Sequence, residues 1–358
     1  MKTYTKFLTQ IYLKSFLNIL LIMFCLIFIL NFLSELDFFK VIDVNIFFPL
    51  YLSFLNAPTL IFQMLPFVFL ISTQFFFNTL INKDEINIFK YSGLKNSKIL
   101  LILTTLSFIL GLIIITIFYN LSSNLKNFYL ELKSNYTTDG KYLAVINKNG
   151  LWIKDINKDN KTLIINAEKI EQNFLINAYI SEFDNNFEIK RNIKSPKINI
   201  KNNEWQVLDA RIYSENSTKN FELIRVNTNF NYKIIQNLFS NLSSLSFLEL
   251  IELRNNYKKL NYSLTELDVH LLKLCSYPIY FVLMTVFSSA IMLNTKKYKS
   301  NLFKVSIGLF LSVVIYYINN FFNVLGTTEK INLASSVFIP LFFLMIVNFI
   351  MIRKINEK

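Results

Sequence analysis

Histidine, cysteine, glycine and proline are scarce in this chain of 358 residues. It contains one histidine, His270, two cysteines, six glycines and six prolines. A single histidine argues against His-based metal sites, the HExxH type of metalloprotease and Ser-His-Asp hydrolysis. None of the six glycines begins the G-x-x-x-x-G-K-[ST] loop that cradles nucleotide phosphates. The sequence therefore predicts a non-catalytic chain that binds no metal and no cofactor.

The two cysteines, Cys25 and Cys275, both fall inside long apolar runs. We expect each to be a small buried apolar side chain rather than a reactive thiol. The polar middle of the chain contains no cysteine and therefore no disulfide.

Charged residues are also few, at 17%, whereas hydrophobic residues make up 53% and the mean hydropathy is +0.38. This composition is typical of membrane proteins. A helix that crosses the bilayer core needs about 20 apolar residues. Six runs meet this requirement: Phe16–Leu33, Pro58–Ile81, Ile99–Leu121, Leu271–Leu293, Leu302–Leu325 and Ile331–Ile352.

These runs predict three domains along the chain. Residues 1–121 form transmembrane helices 1–3, residues 122–268 form a polar insert, and residues 269–358 form transmembrane helices 4–6. The first apolar run is longer than the h-region of a cleaved signal peptide, about 7–15 residues, so we expect it to be retained.

Lysine and arginine are distributed unevenly between the two sides of the predicted spans. They concentrate at both termini and in the loops after spans 2 and 4, whereas the short loops on the other side hold only Lys40 and Lys330. The positive-inside rule therefore predicts cytoplasmic termini and an external insert. This bias also explains most of the net charge of +13 without a nucleic-acid partner.

The insert has short apolar or alternating runs separated by Asn, Asp and Gly, for example KTLIINAEKI and NFELIRVNTNF. Such runs predict antiparallel strands, with Asn149-Gly150 as a hairpin turn, in a β-sandwich or jelly roll. Helical spacing returns at Ser244–Leu260, which predicts a helix leading to span 4. The sequence leaves open whether the β domain is closed or offers an edge strand to another chain.

The loop after span 2 reads INKDEINIFKYSGLK and predicts a short amphipathic helix over residues 83–94. Asp84 is the candidate N-cap, Glu85 suits the first turn, and Gly93 suits the C-terminal stop. The apolar residues Ile86, Ile88, Phe89, Tyr91 and Leu94 are expected to form one face. Such a helix either rests on lipid headgroups or docks into a groove of a cytoplasmic partner.

Several of these features together resemble the LptF/LptG permeases of lipopolysaccharide export. They are the order of three spans, β domain and three spans, the loop KDEINIFKYSGLKNSKI, and Pro66 in QMLPFVFLI. The segments FLSELDFFK and NGLWIKD are more similar to LptG than to LptF. Some LptG proteins carry a lysine in span 1 near the position of Asn31, whereas the nearest basic residue here is Lys40.

The resemblance implies an inner-membrane permease subunit of an ABC transporter that extracts lipopolysaccharide and passes it to a periplasmic bridge. Its implied partners are a second LptF/LptG-type permease, a cytoplasmic LptB-like ATPase dimer that uses the ATP, and LptC/LptA-like bridge proteins. It also implies a jelly-roll-like periplasmic domain over residues 122–268. The alternative is a membrane-anchored periplasmic scaffold that transports nothing and needs no cytoplasmic motor.

Two sets of site residues follow from the resemblance together with the cost of polar groups in spans. The expected ATPase-docking residues are Asp84, Glu85, Ile88, Phe89, Tyr91 and Gly93. The expected substrate path comprises Asn31, Glu35, Lys40, Lys273, Tyr316, Asn319 and Asn320. For the polar residues within spans, hydrogen bonding between helices without substrate contact is the other interpretation.

Overall fold

A computed structural model describes residues 3–40, 42, 44–134, 136, 151–156, 162–171, 173–184, 187–214, 217–232, 234–235, 241–259, 262–293 and 300–356. The chain divides into two compact units. The first combines Met1–Lys126 with Thr265–Lys358, and the second is Asn127–Leu264.

Within the described residues, six helical stretches are long and apolar enough to cross a membrane, as predicted. They are α1 (Thr3–Phe38), α2 (Phe47–Asn82), α4 (Asn96–Ile113) continued through a π-helical turn (Ile114–Phe118) into α5 (Tyr119–Ser134), α7 (Thr265–Leu293), α8 (Asn301–Thr327) and α9 (Leu333–Asn356). The short helix α3 (Glu85–Tyr91) connects α2 to α4. Several helices extend beyond their apolar runs. For example, α1 has 36 residues and is therefore about 54 Å long, whereas the bilayer core is only about 30 Å thick.

The helices α2 and α7 form the interior of the membrane unit. In their most apolar stretches, 67% and 78% of residues are buried, compared with 17% in α1 and in α8. Both of these outer helices carry exposed apolar side chains, such as Leu21 and Phe310. In a membrane-spanning unit such surfaces face lipid or another membrane chain.

Three glycines mark the closest approaches between the helices. A Cβ atom on Gly308 of α8 would lie 1.8 Å from Nε2 of Gln74 on α2. A Cβ on Gly326 of α8 would lie 2.4 Å from Ser336 of α9, and one on Gly111 of α4 would lie 3.0 Å from the backbone of α7. Small residues at helix crossings are the usual device by which membrane helices pack closely.

The expectation that Cys25 and Cys275 are buried is wrong. Both thiols are on the exposed side of their helices. In a membrane span an apolar side chain has a favourable environment on the lipid side as well as in the interior, so hydropathy did not distinguish the two.

The described residues of the second unit form seven antiparallel strands, which confirms the prediction of an inserted β domain. They are β1 (Leu151–Ile156), β2 (Thr162–Ala167), β3 (Lys169–Glu171), β4 (Phe174–Phe183), β5 (Ile189–Asn199), β6 (Glu204–Ser214) and β7 (Ser217–Asn227). The described strands form one open sheet in the order β1-β2-β4-β5-β6-β7, with β3 paired to the first half of β4. The predicted turn at Asn149-Gly150 lies outside the described residues.

One side of the sheet carries an apolar core into which Phe230 and Ile235 pack. Trp205 is fully buried there and donates its Nε1–H to the Phe230 carbonyl at 2.7 Å. The buried carboxylate of Asp155 accepts two hydrogen bonds from Asn229, one from its backbone N–H at 2.9 Å and one from its side-chain amide at 2.8 Å. These two hydrogen bonds connect the segment after β7 to strand β1.

The predicted helix before span 4 is confirmed as α6 (Phe247–Lys259). Its first turn is a capping box. The Glu249 carboxylate accepts hydrogen bonds from the N–H and the hydroxyl of Ser246, and the Ser246 hydroxyl accepts from the Glu249 N–H. This arrangement satisfies backbone N–H groups that a helix start leaves without partners.

Candidate functional site

The loop helix α3 is shorter than predicted and has well-defined ends. It begins after Asp84, which is therefore at the expected N-cap position. The φ of Asp84 is +58°, unlike the extended backbone of a usual N-cap, and its carboxylate accepts a hydrogen bond from the side-chain amide of Asn87 at 2.6 Å. At the other end, Gly93 has a φ of +78° and the Leu94 N–H donates to the Phe89 carbonyl at 2.9 Å. This six-to-one bond after a left-handed glycine is the Schellman motif, so the predicted role of Gly93 as a helix stop is confirmed.

The apolar residues of α3 lie on two faces, so the expectation of a single apolar face is wrong. Ile86 and Phe89, together with Leu94 just after the helix, pack onto a cluster built from α1, α2, α4 and the end of α7. Ile88 and Tyr91 point away and are 57% and 91% exposed. Residues 86 and 89 lie about 60° apart around a helix of 3.6 residues per turn, whereas residues 88 and 91 lie on the opposite side.

In this arrangement some of the six expected docking residues are exposed and others are turned towards the interior. Ile88 and Tyr91 are available to a partner, whereas the ring of Phe89 is turned inward and lies 6.2 Å from the ring of Phe7 on α1. The Oε2 atom of Glu85 is buried and has no hydrogen-bond partner in the described part of the chain. An unsatisfied carboxylate oxygen is costly, and a donor from another chain would remove that cost.

A second group of polar residues joins α1, α2 and α5. The Lys126 ammonium donates to Asn56 Oδ1 at 2.7 Å, and Asn56 Nδ2 donates to Asn31 Oδ1 at 3.0 Å. Asn31 in turn donates to the carbonyl of Ser53 at 3.3 Å. Glu35 is buried on the same face of α1, four residues after Asn31. The structure thus brings Asn31 and Glu35 together, as expected.

Lys126 was not among the predicted residues, because span 3 was predicted to end at Leu121. The helix continues through α5 to Ser134, which carries Lys126 onto the polar face of α2. The continued helical run of the sequence beyond Leu121 was the available signal. Lys40, the basic residue that was expected nearest to Asn31, is exposed in the turn after α1.

A third group lies between α7 and α8. Lys273, Tyr277 and Tyr280 lie on one face of α7, at spacings of four and three. Tyr316 of α8 is close enough to interact electrostatically with each of them. The side chain of Asn319 lies against the Tyr280 hydroxyl.

The structure thus brings the predicted residues Lys273, Tyr316 and Asn319 together. Asn320, the other predicted residue of α8, is exposed. Tyr277 and Tyr280 are buried members that the sequence analysis missed. Their helical spacing from Lys273 was the available signal.

Aromatic rings surround this third group. The ring of Tyr277 lies 5.2 Å from Phe62, and the ring of Tyr316 lies 5.6 Å from Phe67, both on α2. His270, one turn before Lys273, shares a 3.3 Å hydrogen bond with the Tyr119 hydroxyl. Within the described residues no group of three His, Cys, Asp or Glu side chains comes together as metal ligands would.

The described spans of the membrane unit thus include these two polar groups, and the loop helix has one buried and one exposed face. No curated protein matches the sequence. The family described as "Lipopolysaccharide export system permease LptF/LptG" matches residues 6–354, which is almost the whole chain. The chain thus belongs to the LptF/LptG family of lipopolysaccharide export permeases.

Proposed function

We propose that this chain is the membrane subunit of an ABC transporter that extracts lipopolysaccharide from the inner membrane. A separate cytoplasmic ATPase dimer hydrolyses the ATP, a second LptF/LptG-type permease completes the membrane part, and a periplasmic bridge receives the lipid. The family and the uneven distribution of lysine and arginine support this proposal. In this arrangement both termini and α3 are cytoplasmic and residues 122–268 are periplasmic.

The observation that carries the proposal is the two-faced helix α3. Its inner face, formed by Ile86 and Phe89, packs together with the following Leu94 on a cluster that includes α1, α2 and α4. Its outer face leaves Tyr91 almost completely exposed. A helix held in this way fits a groove of a partner and transmits a displacement of that partner to three membrane helices.

The two polar groups in the spans suit a substrate that carries phosphates and acyl chains. Each contains one lysine, Lys126 or Lys273, next to neutral hydrogen-bonding side chains, and the Lys126 group also contains the buried carboxylate of Glu35. Ammonium groups attract phosphate, and charge-assisted hydrogen bonds to phosphate are strong. We therefore add Lys126 to the proposed path and keep Lys40 and Asn320 as exposed candidates at its margin.

Co-purification from detergent tests the proposal. Tagged wild type is expected to retain an ABC ATPase and a second six-span permease. Tyr91→Ala and Glu85→Ala are expected to lose the ATPase and keep the permease. Leu302→Ala is the matched control, because Leu302 is a comparably exposed apolar residue, 81% against 91% for Tyr91, on the same predicted side of the membrane.

Two results would count against the proposal. If no ATPase accompanies folded wild type, α3 rests on lipid and the scaffold alternative is favoured. If the ATPase binds all four proteins equally, it docks elsewhere on the chain.

A further inference from the structure

An apolar cavity of about 270 Å³ lies between α7, α8 and α9. Its walls include Phe287 from α7, Leu311 and Val314 from α8, and Leu344, Val347 and Met351 from α9. The polar side chains in its lining are Tyr280 and Asn319, which lie against each other. The cavity therefore offers almost nothing to water, which needs two to four polar partners.

The lining is unsuited to a partner helix. It contains no Gly, Ala, Ser or Thr. Where helices of this chain do pack closely, they use Gly111, Gly308 and Gly326. Close packing of membrane helices depends on such small residues. A lining of branched and aromatic side chains instead suits a flexible hydrocarbon chain.

The cavity also lies beside the middle of α8, between the two groups of buried residues of this helix. The buried residues of α8 are Lys304, Gly308 and Ser312 near one end and Asn323 and Gly326 near the other. Engineered apolar cavities of about 150 Å³ remain dry and accept benzene. A cavity of 270 Å³ within membrane-spanning helices therefore has room for a longer hydrocarbon segment.

The length of the cavity and a charged residue beyond its end indicate which lipid fills it. Along α9 the lining runs from Pro340 to Met351, which is about 16 Å of helix, or half of the bilayer core of about 30 Å. One leaflet has this depth. Two residues beyond Met351 is Arg353, an exposed cation that would lie at the membrane surface if the lining spans one leaflet. Cations at this level attract lipid phosphates.

We propose that this cavity is a binding site for one acyl chain of a membrane phospholipid, from the leaflet on the Arg353 side, with the lipid phosphate beside Arg353. The chain fills the space between α7, α8 and α9 and supports the middle of α8. The site adjoins the group of Lys273 and Tyr316, with which it shares Tyr280 and Asn319. The inference does not depend on the transport function.

Photo-crosslinking of the full chain in nanodiscs tests this inference. The probe is phosphatidylglycerol with a diazirine in one acyl chain, and mass spectrometry identifies the labelled residues. In wild type we expect label on Leu344 and Val347 in excess of that on Phe349, which is 68% exposed and outside the lining. Equal labelling of all exposed apolar residues would overturn the proposal, because it would show only the surrounding lipid.

Two neighbouring valines provide a matched pair of variants. Val314 lines the cavity and Val313 does not, and their exposed fractions are 39% and 44%. Val314→Phe is expected to lose the label because the new ring fills the cavity. Val313→Phe is expected to retain it. Label that persists in Val314→Phe, or that disappears from both variants, would contradict the site.

A third variant and a competitor complete the test, also in case Val314→Phe does not fold. Arg353→Gln is expected to lower the labelling about fivefold, because the attraction between one cation and the lipid phosphates changes lipid binding by about this factor. Unchanged labelling would refute the headgroup position. Unlabelled lipopolysaccharide is expected to leave the label in place, and its removal by lipopolysaccharide would show that the chain belongs to that lipid instead. Protection of the site by a co-purified permease would show that a protein covers it.

Discussion

Substituting Gly308 by alanine tests a close contact between two membrane helices of this chain, α8 and α2. The new Cβ would lie 1.8 Å from Nε2 and 2.8 Å from Cδ of Gln74, which is completely buried, so the glutamine side chain must move. Moving it breaks the 3.2 Å hydrogen bond that Gln74 Nε2 donates to the carbonyl of Lys304. Overpacking costs about 1–3 kcal/mol, and such a bond in a membrane protein about 0.6 kcal/mol. We therefore expect Gly308→Ala to lower the free energy of unfolding by about 1.5–3.5 kcal/mol.

A double-mutant cycle makes this expectation specific. Gln74→Ala removes both atoms with which the new Cβ collides. In that background Gly308→Ala should cost little, which gives a coupling energy of about 1–3 kcal/mol between the two positions. The assay is reversible unfolding of the purified protein in mixed micelles. Equal costs of Gly308→Ala in both backgrounds would refute the reasoning, since the loss would then come from the helix and not from the contact.

Three further predictions concern the loop helix and the β domain. Gly93→Ala should destabilise the end of α3 by about 1 kcal/mol, because its φ of +78° disfavours alanine, whereas Gly93→Asn should cost less; amide exchange in α3 that is equal for both would refute this. Asp155→Ala should cost about 1–3 kcal/mol by leaving two N–H groups of Asn229 without an acceptor. Fluorescence of the buried Trp205 reports the unfolding midpoint of this domain, and an unchanged midpoint would contradict the role of Asp155. Burial raises the pKa of the Tyr262 hydroxyl, so its contribution to stability is complete below the unfolded pKa of about 10 and is lost as pH rises through the folded pKa. Tyr262→Phe should therefore flatten the alkaline loss of stability, and an unchanged slope above pH 10 would exclude this contribution.

The sequence predicts the membrane spans well because the bilayer selects for length and hydropathy, which are local properties. The same reasoning fails for burial. Cys25 and Cys275 are exposed, since a lipid-facing position is as apolar as an interior one. Lys126 was missed because the span was ended where hydropathy fell, although the helix continues into a polar face.

The candidate sites were predicted in part. The two ends of α3 follow from Glu85 and Gly93, which are local signals. Helix geometry alone places Phe89 and Tyr91 on different sides of α3, but only the tertiary packing decides which of the two sides meets the bundle. Likewise, Lys273 was visible as a charge in a span, but its proximity to Tyr316 depends on how α7 and α8 pack.

Reconstituted transport tests the central claim most directly. The purified complex would be placed in proteoliposomes with labelled lipopolysaccharide, and its transfer to a soluble periplasmic acceptor measured with and without ATP. We expect wild type to transfer the lipid only with ATP, Leu302→Ala to match it, and Tyr91→Ala to retain bound lipopolysaccharide but to transfer almost none. Transfer by Tyr91→Ala at the wild-type rate, or transfer that does not depend on ATP, would contradict an export permease that is driven through α3.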